Sequence, residues 1–271
     1  MSQTYQTIGI VLKQKPFNEN DLLVTILSPE IGLISAVAPG ARKYKSRLRG
    51  RIQSFVINQF LIVQGKNLDR VIQAETKESY PKLSQNLGKL TASQYLGEIA
   101  LNLAPKNQPQ PELYTILNEH LNRIEKIPSQ ENLVPYLTQA VFHLLTVTGI
   151  APEVNYCIET HTPLIPQFEL QQWQVGFSFG SGGLIKLSPA YHLKHHKINT
   201  KVNALELFLL QSLAQKTLNL SHNNSIPQES KDKINCAWIN IERSLSNYIE
   251  FYLGHSLKST KMISFALNQN N

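Results

Sequence analysis

Much of what would identify an enzyme or a secreted protein is missing from this sequence. Only two cysteines, Cys157 and Cys236, occur in 271 residues, too few for a disulfide framework, which points to a reducing compartment. The start, Met-Ser-Gln-Thr-Tyr-Gln-Thr, lacks the charged region and apolar core of a signal peptide. No run approaches the ~20 apolar residues that span a bilayer. A cytoplasmic protein without a membrane segment is expected. The phosphate-cradling Gly-x-x-x-x-Gly-Lys-Ser/Thr, the dinucleotide Gly-x-Gly-x-x-Gly and the nucleophile elbow Gly-x-Ser-x-Gly are all missing. Asp and Glu total 19 against 26 Lys and Arg, and the acids are scattered, so no paired-carboxylate site is suggested. With no nucleophile beside a base, the expectation is that the protein is not an enzyme.

What is abundant is positive charge, unevenly placed. Residues 1–80 carry 11 Lys/Arg against 6 Asp/Glu, a net +5, whereas the remaining 191 residues carry only +2. The excess centres on Gly40-Ala-Arg-Lys-Tyr-Lys-Ser-Arg-Leu-Arg-Gly-Arg51, which holds six cations and no acid. Arg and Lys neutralise phosphates and release condensed counterions without reading base sequence, and Arg adds a planar fork that matches phosphate oxygens. Tyr44 can stack on an unpaired base. Arg42, Lys43, Tyr44, Lys45, Arg47, Arg49 and Arg51 are therefore the candidate nucleic-acid contacts, on a flexible loop, with Lys13 and Lys15 as weaker ones. Anionic lipid is an alternative polyanion, but no amphipathic apolar stretch accompanies the cluster. A solvated surface loop is the bland alternative.

Hydrophobic periodicity divides the chain. Residues 5–13, 21–27, 31–38, 52–63 and 68–75 read as five strands, with turn signals such as Ser28-Pro-Glu30 and Gln64-Gly-Lys-Asn67 between them. Among small barrels the five-stranded OB-fold is the usual nucleic-acid binder. After Pro81 the period becomes helical, over 84–103, 111–126 and 131–148, with a proline-rich break at 104–111 and Gly149 as a terminator. Residues 151–200 read as an irregular insert with a hairpin or two. Helices resume at 203–218 and 231–254, the last with an apolar stripe, Ile234 to Tyr252, read as core packing. The fold class is thus α+β: an OB-fold nucleic-acid-binding domain (1–80), a helical domain in two parts (81–150 and 201–257) around the insert (151–200), and a frayed tail (258–271). Cys157 and His161, four apart, make one half of a metal pair, but no second Cys/His pair has zinc-site spacing, so His192, His195 and His196 are read as surface histidines in a basic loop.

Several local patterns, in order, resemble the RecO family of bacterial recombination mediators: Thr7-Ile-Gly-Ile-Val-Leu-Lys13 with Glu19-Asn-Asp21, Ile31-Gly-Leu33, Ala38-Pro-Gly-Ala-Arg-Lys43 with Ser46, Glu75, Tyr95-Leu96 with Glu98, Pro109-Gln-Pro-Glu-Leu-Tyr114, and Thr148-Gly-Ile-Ala-Pro152 leading to Cys157. The resemblance covers residues 5–188. It implies an OB-fold, a helical domain and a zinc-binding insert. It also implies binding to single- and double-stranded DNA, strand annealing, and help in loading recombinase onto SSB-coated DNA in the RecF pathway, without nucleotide. The implied partners are RecR and the C-terminal tail of single-strand-binding protein, and the implied location is the cytoplasm, at the nucleoid. Where many members carry two Cys-x-x-Cys pairs, this chain has Cys157 and Thr160, then Ile185 and Ser188. The metal is therefore expected to be lost, with Trp173, Phe177 and Phe179 filling in. A protein-interaction scaffold and an RNA-binding OB-fold protein remain open as alternatives.

Overall fold

The computed structural model describes residues 3–187, 196–218 and 230–263. The chain forms two compact units, Met1–Ser129 with the chain from Lys261, and Gln130–Thr260.

The first unit begins with five strands: β1 (Thr4–Pro16), β2 (Leu22–Ser28), β3 (Gly32–Ala38), β4 (Ile57–Val63) and β5 (Asp69–Glu78). They close in the order β1-β2-β3-β5-β4. Every neighbouring pair is antiparallel except β3 and β5, which run parallel at Ala36–Asp69 and Val37–Arg70. Closure and this order are those of an OB-like barrel, as expected. Alternation builds the interior: Val24 and Ile26, Ile34, Ala36 and Ala38, and Phe60 and Ile62 all point inward, as a period of two requires. β1 outruns one partner; a bulge between Val11 and Lys13 lets it pair with β4 first and β2 afterwards.

One glycine shows how the barrel meets the helical segment. Gly32 opens β3 at φ 83°, and an added Cβ would stand 2.1 Å from the Gln108 carbonyl oxygen. Only glycine tolerates both conditions. The proline-rich break therefore lies against the β2–β3 turn, where Gln110 N–H also donates to the Pro29 carbonyl at 2.9 Å. A 3-10 turn (Pro81–Gln85) leads into α1 (Leu87–Leu103), and α2 (Pro111–Lys126) comes next. Lys89, buried on α1, donates through Nζ to the carbonyls of Glu125 and Ile127, a cation at the negative end of the α2 dipole.

The second unit holds α3 (Val134–Val147), a three-stranded sheet, α4 (Ala204–Ser212) and α5 (Lys231–Leu253). The sheet, in the order β7-β6-β8, comprises β6 (Gln174–Ser178), β7 (Gly183–Lys186) and β8 (Thr200–Asn203). The insert thus has one more strand than a single hairpin. β8 is only four residues and runs straight into the α4 cap, where Asn203 and Glu206 form a reciprocal capping box. α4 stops at Ser212, short of the expected 218. On α5, Ala237, Trp238, Ile241, Leu245, Tyr248 and Ile249 are buried, as the core-packing reading requires, while Tyr252 is exposed. The tail does not fray at once. Leu257 is buried and Thr260 donates to Glu250.

One buried acid on α5 gives a test of this packing. Burial raises the Glu242 carboxyl above its ordinary value, against the opposing hydrogen bond from Ser246 and the charge of Arg243. A raised carboxyl is more costly to ionise folded than unfolded. Its stability contribution is therefore greatest below the ordinary Glu pKa of ~4.3 and falls as pH rises towards the raised value. Glu242→Gln should flatten the fall in melting temperature between pH 4 and neutrality; an unchanged profile would mean that the carboxyl is not confined as described.

Candidate nucleic-acid interface

Residues 39–56 connect β3 to β4 and form the floor of the barrel. The segment starts at Gly40, with φ 64°, whose N–H donates to Asp21 Oδ1 at 2.7 Å. That bond above all, with the Asn18 amide and the charges of Arg70 and Lys43, holds the Asp21 carboxyl below its usual range. Arg42 then ties back to the β1–β2 turn twice, through its N–H to the Asn20 carbonyl at 2.9 Å and its guanidinium to the Asn18 carbonyl at 3.1 Å.

A succession of tight turns comes next. Lys43, Ser46 and Arg49 donate backbone N–H groups to Gly40, Lys43 and Ser46, and Ile52 donates to Leu48. The expected free loop is therefore replaced by a hydrogen-bonded coil. Its periodicity is helical, and it turns Ala41 and Ile52 into the barrel core with Leu48 packed against them. This corrects the fourth strand as well: β4 begins at Ile57, because Ile52 to Val56 belong to the coil.

The far end is locked more firmly still. Asn58, fully buried, donates to the Arg51 carbonyl at 2.6 Å and accepts from Thr76 at 3.0 Å. The Arg51 guanidinium donates to the Ala74 carbonyl. Phe55 sits at φ 66°, a region costly for a bulky side chain. It is held there by its N–H to the Val11 carbonyl at 2.7 Å and by contact with α1 at Gly97.

With three apolar residues turned inward, the cations face solvent. Arg42, Lys43, Lys45, Arg47 and Arg49 are exposed, and Tyr44 is 87% exposed. The Arg49 guanidinium lies 6.0 Å from the Tyr44 ring centroid, within cation–π range. Among the described residues the ion pairs are Lys77–Glu75 and Arg123–Glu119, and none of these cations takes part. Arg51 differs: it is half-buried and serves the barrel backbone. Lys13 and Lys15 are exposed on a separate element, β1, opposite Thr25 and Leu23 of β2.

The structure adds groups that sequence reading missed. Arg70, at the start of β5, borders a cleft with Asn18, Asp21 and Lys43. Phe17, 46% exposed, stands in the β1–β2 turn beside it. The available signal for Arg70 was a cation just beyond the Gln64–Asn67 turn. Asn58 had none, since a polar residue in a strand is read as facing outward.

Three of the four expected metal positions, Cys157, Thr160 and Ile185, are among the described residues, and they do not form a ligand set. Cys157 is fully buried, and its sulfur accepts the Lys186 N–H at 3.3 Å. Burial pushes the thiol up, but the N–H groups of Lys186, Thr160 and Glu159 and the Thr160 hydroxyl outweigh it and hold the thiol below its ordinary value. Ile185 is buried and aliphatic. Thr160 pairs with Thr162 at 2.8 Å, and His161 is exposed. His196 bonds Ser181 at 2.8 Å, whereas Ser188, His192 and His195 lie outside the described residues. Among the described residues no three His, Cys, Asp or Glu converge. One thiol, one hydroxyl and a hydrocarbon do not fit the four-ligand shell of structural zinc.

If the coil is the floor of the barrel, Ile52→Ala should destabilise the protein by ~2–5 kcal/mol, the usual cost of emptying a buried aliphatic site. Denaturant titration reads this directly; a cost below ~0.5 kcal/mol, typical of surface positions, would place the coil outside the core.

The chain also has clear relatives among known proteins. Residues 1–80 match the family model described as Recombination protein O N terminal, and residues 84–261 match Recombination protein O C terminal. The chain is 51% identical over 275 residues to the DNA repair protein RecO of Gloeothece citriformis, covering 97% of each chain. It is 43% identical to the proteins of that name from Trichodesmium erythraeum, over 97% of this chain and 94% of that one, and from Synechocystis sp., over 97% of each. Among the described residues no helix is long and apolar enough to cross a membrane. With both halves matched and relatives aligned along nearly its whole length, the chain belongs to the RecO family.

Proposed function

We propose that this protein is a non-catalytic mediator of DNA repair and homologous recombination. It binds single- and double-stranded DNA through its barrel, anneals complementary strands and helps load recombinase onto SSB-coated DNA. The single observation that carries this reading is the array of exposed cations, in no ion pair among the described residues, on a hydrogen-bonded coil. Arg42, Lys43, Lys45, Arg47 and Arg49 present charge to phosphate, with Tyr44 among them as a stacking surface. The relatives' name, DNA repair protein RecO, supports DNA over RNA as the polyanion. Annealing asks only that two mutually repelling strands be screened and held together, and this needs no nucleophile, base or nucleotide. RecR and the C-terminal tail of single-strand-binding protein are the proposed partners, and the cytoplasm, at the nucleoid, the proposed location.

Rigidity is useful here. Cations on a free loop lose conformational entropy when they settle on phosphate, whereas the coil is fixed from Gly40 to Phe55 before any strand arrives. Replacing Arg42, Lys43, Arg47 and Arg49 together by Ala should weaken single-strand binding. It should also reduce the slope of log affinity against log salt by about 0.7 for each phosphate no longer neutralised. Tyr44→Ala should cost ~1–3 kcal/mol on single strands if one base stacks there. An unaltered affinity and salt slope in the fourfold variant sinks the proposal.

We also propose that the insert holds its fold without zinc, on the donor set around Cys157 and on Gln211, whose amide donates to the carbonyls of Val154 and Leu164 at 3.0 and 2.9 Å. Elemental analysis should find no stoichiometric metal, and a chelator should leave the melting temperature unchanged. One tightly held zinc per chain would falsify this.

A further inference from the structure

The coil at the barrel floor also forms one wall of a pocket. Its last turn, Gly50 to Val56, meets the segment before α1, residues 79–84, and α1 itself at Leu90 and Gln94. The space measures about 490 Å³, within the ~300–1,000 Å³ of ordinary ligand pockets. Its floor is apolar, where Phe55, Tyr80 and Leu83 are buried. Its mouth is polar: Ser54, Ser79 and Gln94 are exposed, and among the described residues their side chains make no hydrogen bond. Phe55 is the residue held at φ 66°, and backbone strain of that kind gathers at ligand clamps. Gly97 on α1 leaves room for its ring, since an added Cβ would stand 3.1 Å from Phe55 Cε1.

No Lys, Arg, His, Asp or Glu lines this pocket. Burial first, then the charge of Glu78, pushes the Tyr80 phenol up, and its hydroxyl donates to the Asn118 carbonyl of α2 at 3.5 Å. The ring is what Tyr80 offers to the pocket. A phosphate, a carboxylate or an ammonium finds no counter-charge there. A flat, neutral group with an apolar face and a polar edge does fit, with its face on Phe55 and Leu83 and its edge at Ser54, Ser79 and Gln94. Position narrows the choice further. The Gln53 amide donates to the Arg49 carbonyl at 2.8 Å, and its side-chain oxygen accepts from Gln14 at 3.1 Å. The wall therefore begins at Gly50, one residue from the cation that lies over Tyr44.

We propose that this pocket receives one unstacked base of the strand whose phosphates lie on the coil. The proposal rests on the strand-binding reading above and deepens it, because phosphate contact alone does not separate single strands from duplex. An unpaired base has a free face and a free polar edge, which such a surface can hold. In a duplex the face is stacked and the edge is paired, so the pocket stays closed to it. Annealing then withdraws the base from the pocket, and the product keeps only the coil's phosphate contacts.

The test uses the full-length chain and three probes: oligo(dT), a sugar-phosphate strand of equal length without bases, and a duplex. Ser54→Leu/Gln94→Leu fills the mouth with aliphatic groups at two exposed positions, and thermal melting is recorded on it. This variant should bind oligo(dT) about tenfold more weakly, inside the range of roughly fivefold to 150-fold that one held base supplies. Its affinity for the baseless strand and the duplex should stay within about twofold, with the log–log salt slope unchanged, because no phosphate contact is removed. The same tenfold loss should appear in a Tyr44→Ala background, which separates the pocket from stacking at Tyr44. In the native chain, an iodouracil base placed in oligo(dT) and irradiated should attach within residues 50–56 or 79–84, mapped by mass spectrometry. Undiminished oligo(dT) binding by the double variant, or attachment confined to Tyr44, overturns the proposal. An equal loss on all three probes also overturns it, since the pocket would then only support the coil. Full strand binding after Arg42, Lys43, Arg47 and Arg49 are all changed to Ala is a separate failure, that of the barrel reading.

Discussion

Three apolar side chains decide the character of the N-terminal unit. Ala41, Leu48 and Ile52 must be covered, and the open end of the barrel is where they are covered. Once they turn inward, the residues between them have nowhere to go but outward. Six of those are cations, five of them exposed and Arg51 half-buried, and one is an exposed tyrosine. Burying apolar surface, at ~25 cal/mol per Å², therefore works against the mutual repulsion of the cations, which would otherwise favour a swollen loop. The anchors at both ends have the same effect. Asp21 fixes the entry, and Asn58 with the strained Phe55 fixes the exit. A backbone outlier at Phe55 persists because the β1 carbonyl and α1 determine its position from both sides.

The same burial decides which parts of the fold were legible in the sequence. Strands whose interior is filled by their own alternating residues, β2 and β3 above all, follow from period two. α2 shows its proline start and apolar spacing openly. The stretch at 52–56 does not, because Ile52 and Phe55 look like strand residues while serving a helical coil that began eleven residues earlier. The signal was present as spacing: positions 41, 48 and 52 are separated by seven and four, a helical face. It is hidden by the density of charge around it. β8 escapes notice for a different reason. Four residues ending in a helix cap carry too little pattern of their own, and the strand exists because β6 offers it an edge.

The candidate site was half visible. Charge composition picks out the cations themselves, since an acid-free run needs no tertiary context to stand out. It does not separate Arg51, whose guanidinium is spent on the Ala74 carbonyl, from Arg49, whose guanidinium lies over Tyr44. It also cannot bring Arg70 beside Lys43, which takes the parallel pairing of β3 and β5. Such pairings between distant segments are what a linear reading lacks.

The insert is held together around one buried sulfur. Around Cys157, three backbone N–H groups and a hydroxyl converge on one sulfur and hold its thiol below the ordinary value despite full burial. Such a cage favours thiolate, yet the positions across from it offer a methyl-bearing hydroxyl and an isoleucine. The buried hydrocarbon of Ile185 contributes transfer energy instead. The turn from Cys157 to Thr162 stays closed by the Cys157 N–H to the Thr162 carbonyl at 2.9 Å and the His161 N–H to the Cys157 carbonyl at 2.8 Å. Ile158 and Leu184 bind it to β7 through a third bond at 3.0 Å. Backbone hydrogen bonds of this kind need only that the strands stay together, and the apolar core around Ile185 and Leu184 meets that condition. The constraint on this part of the chain is therefore packing against β7.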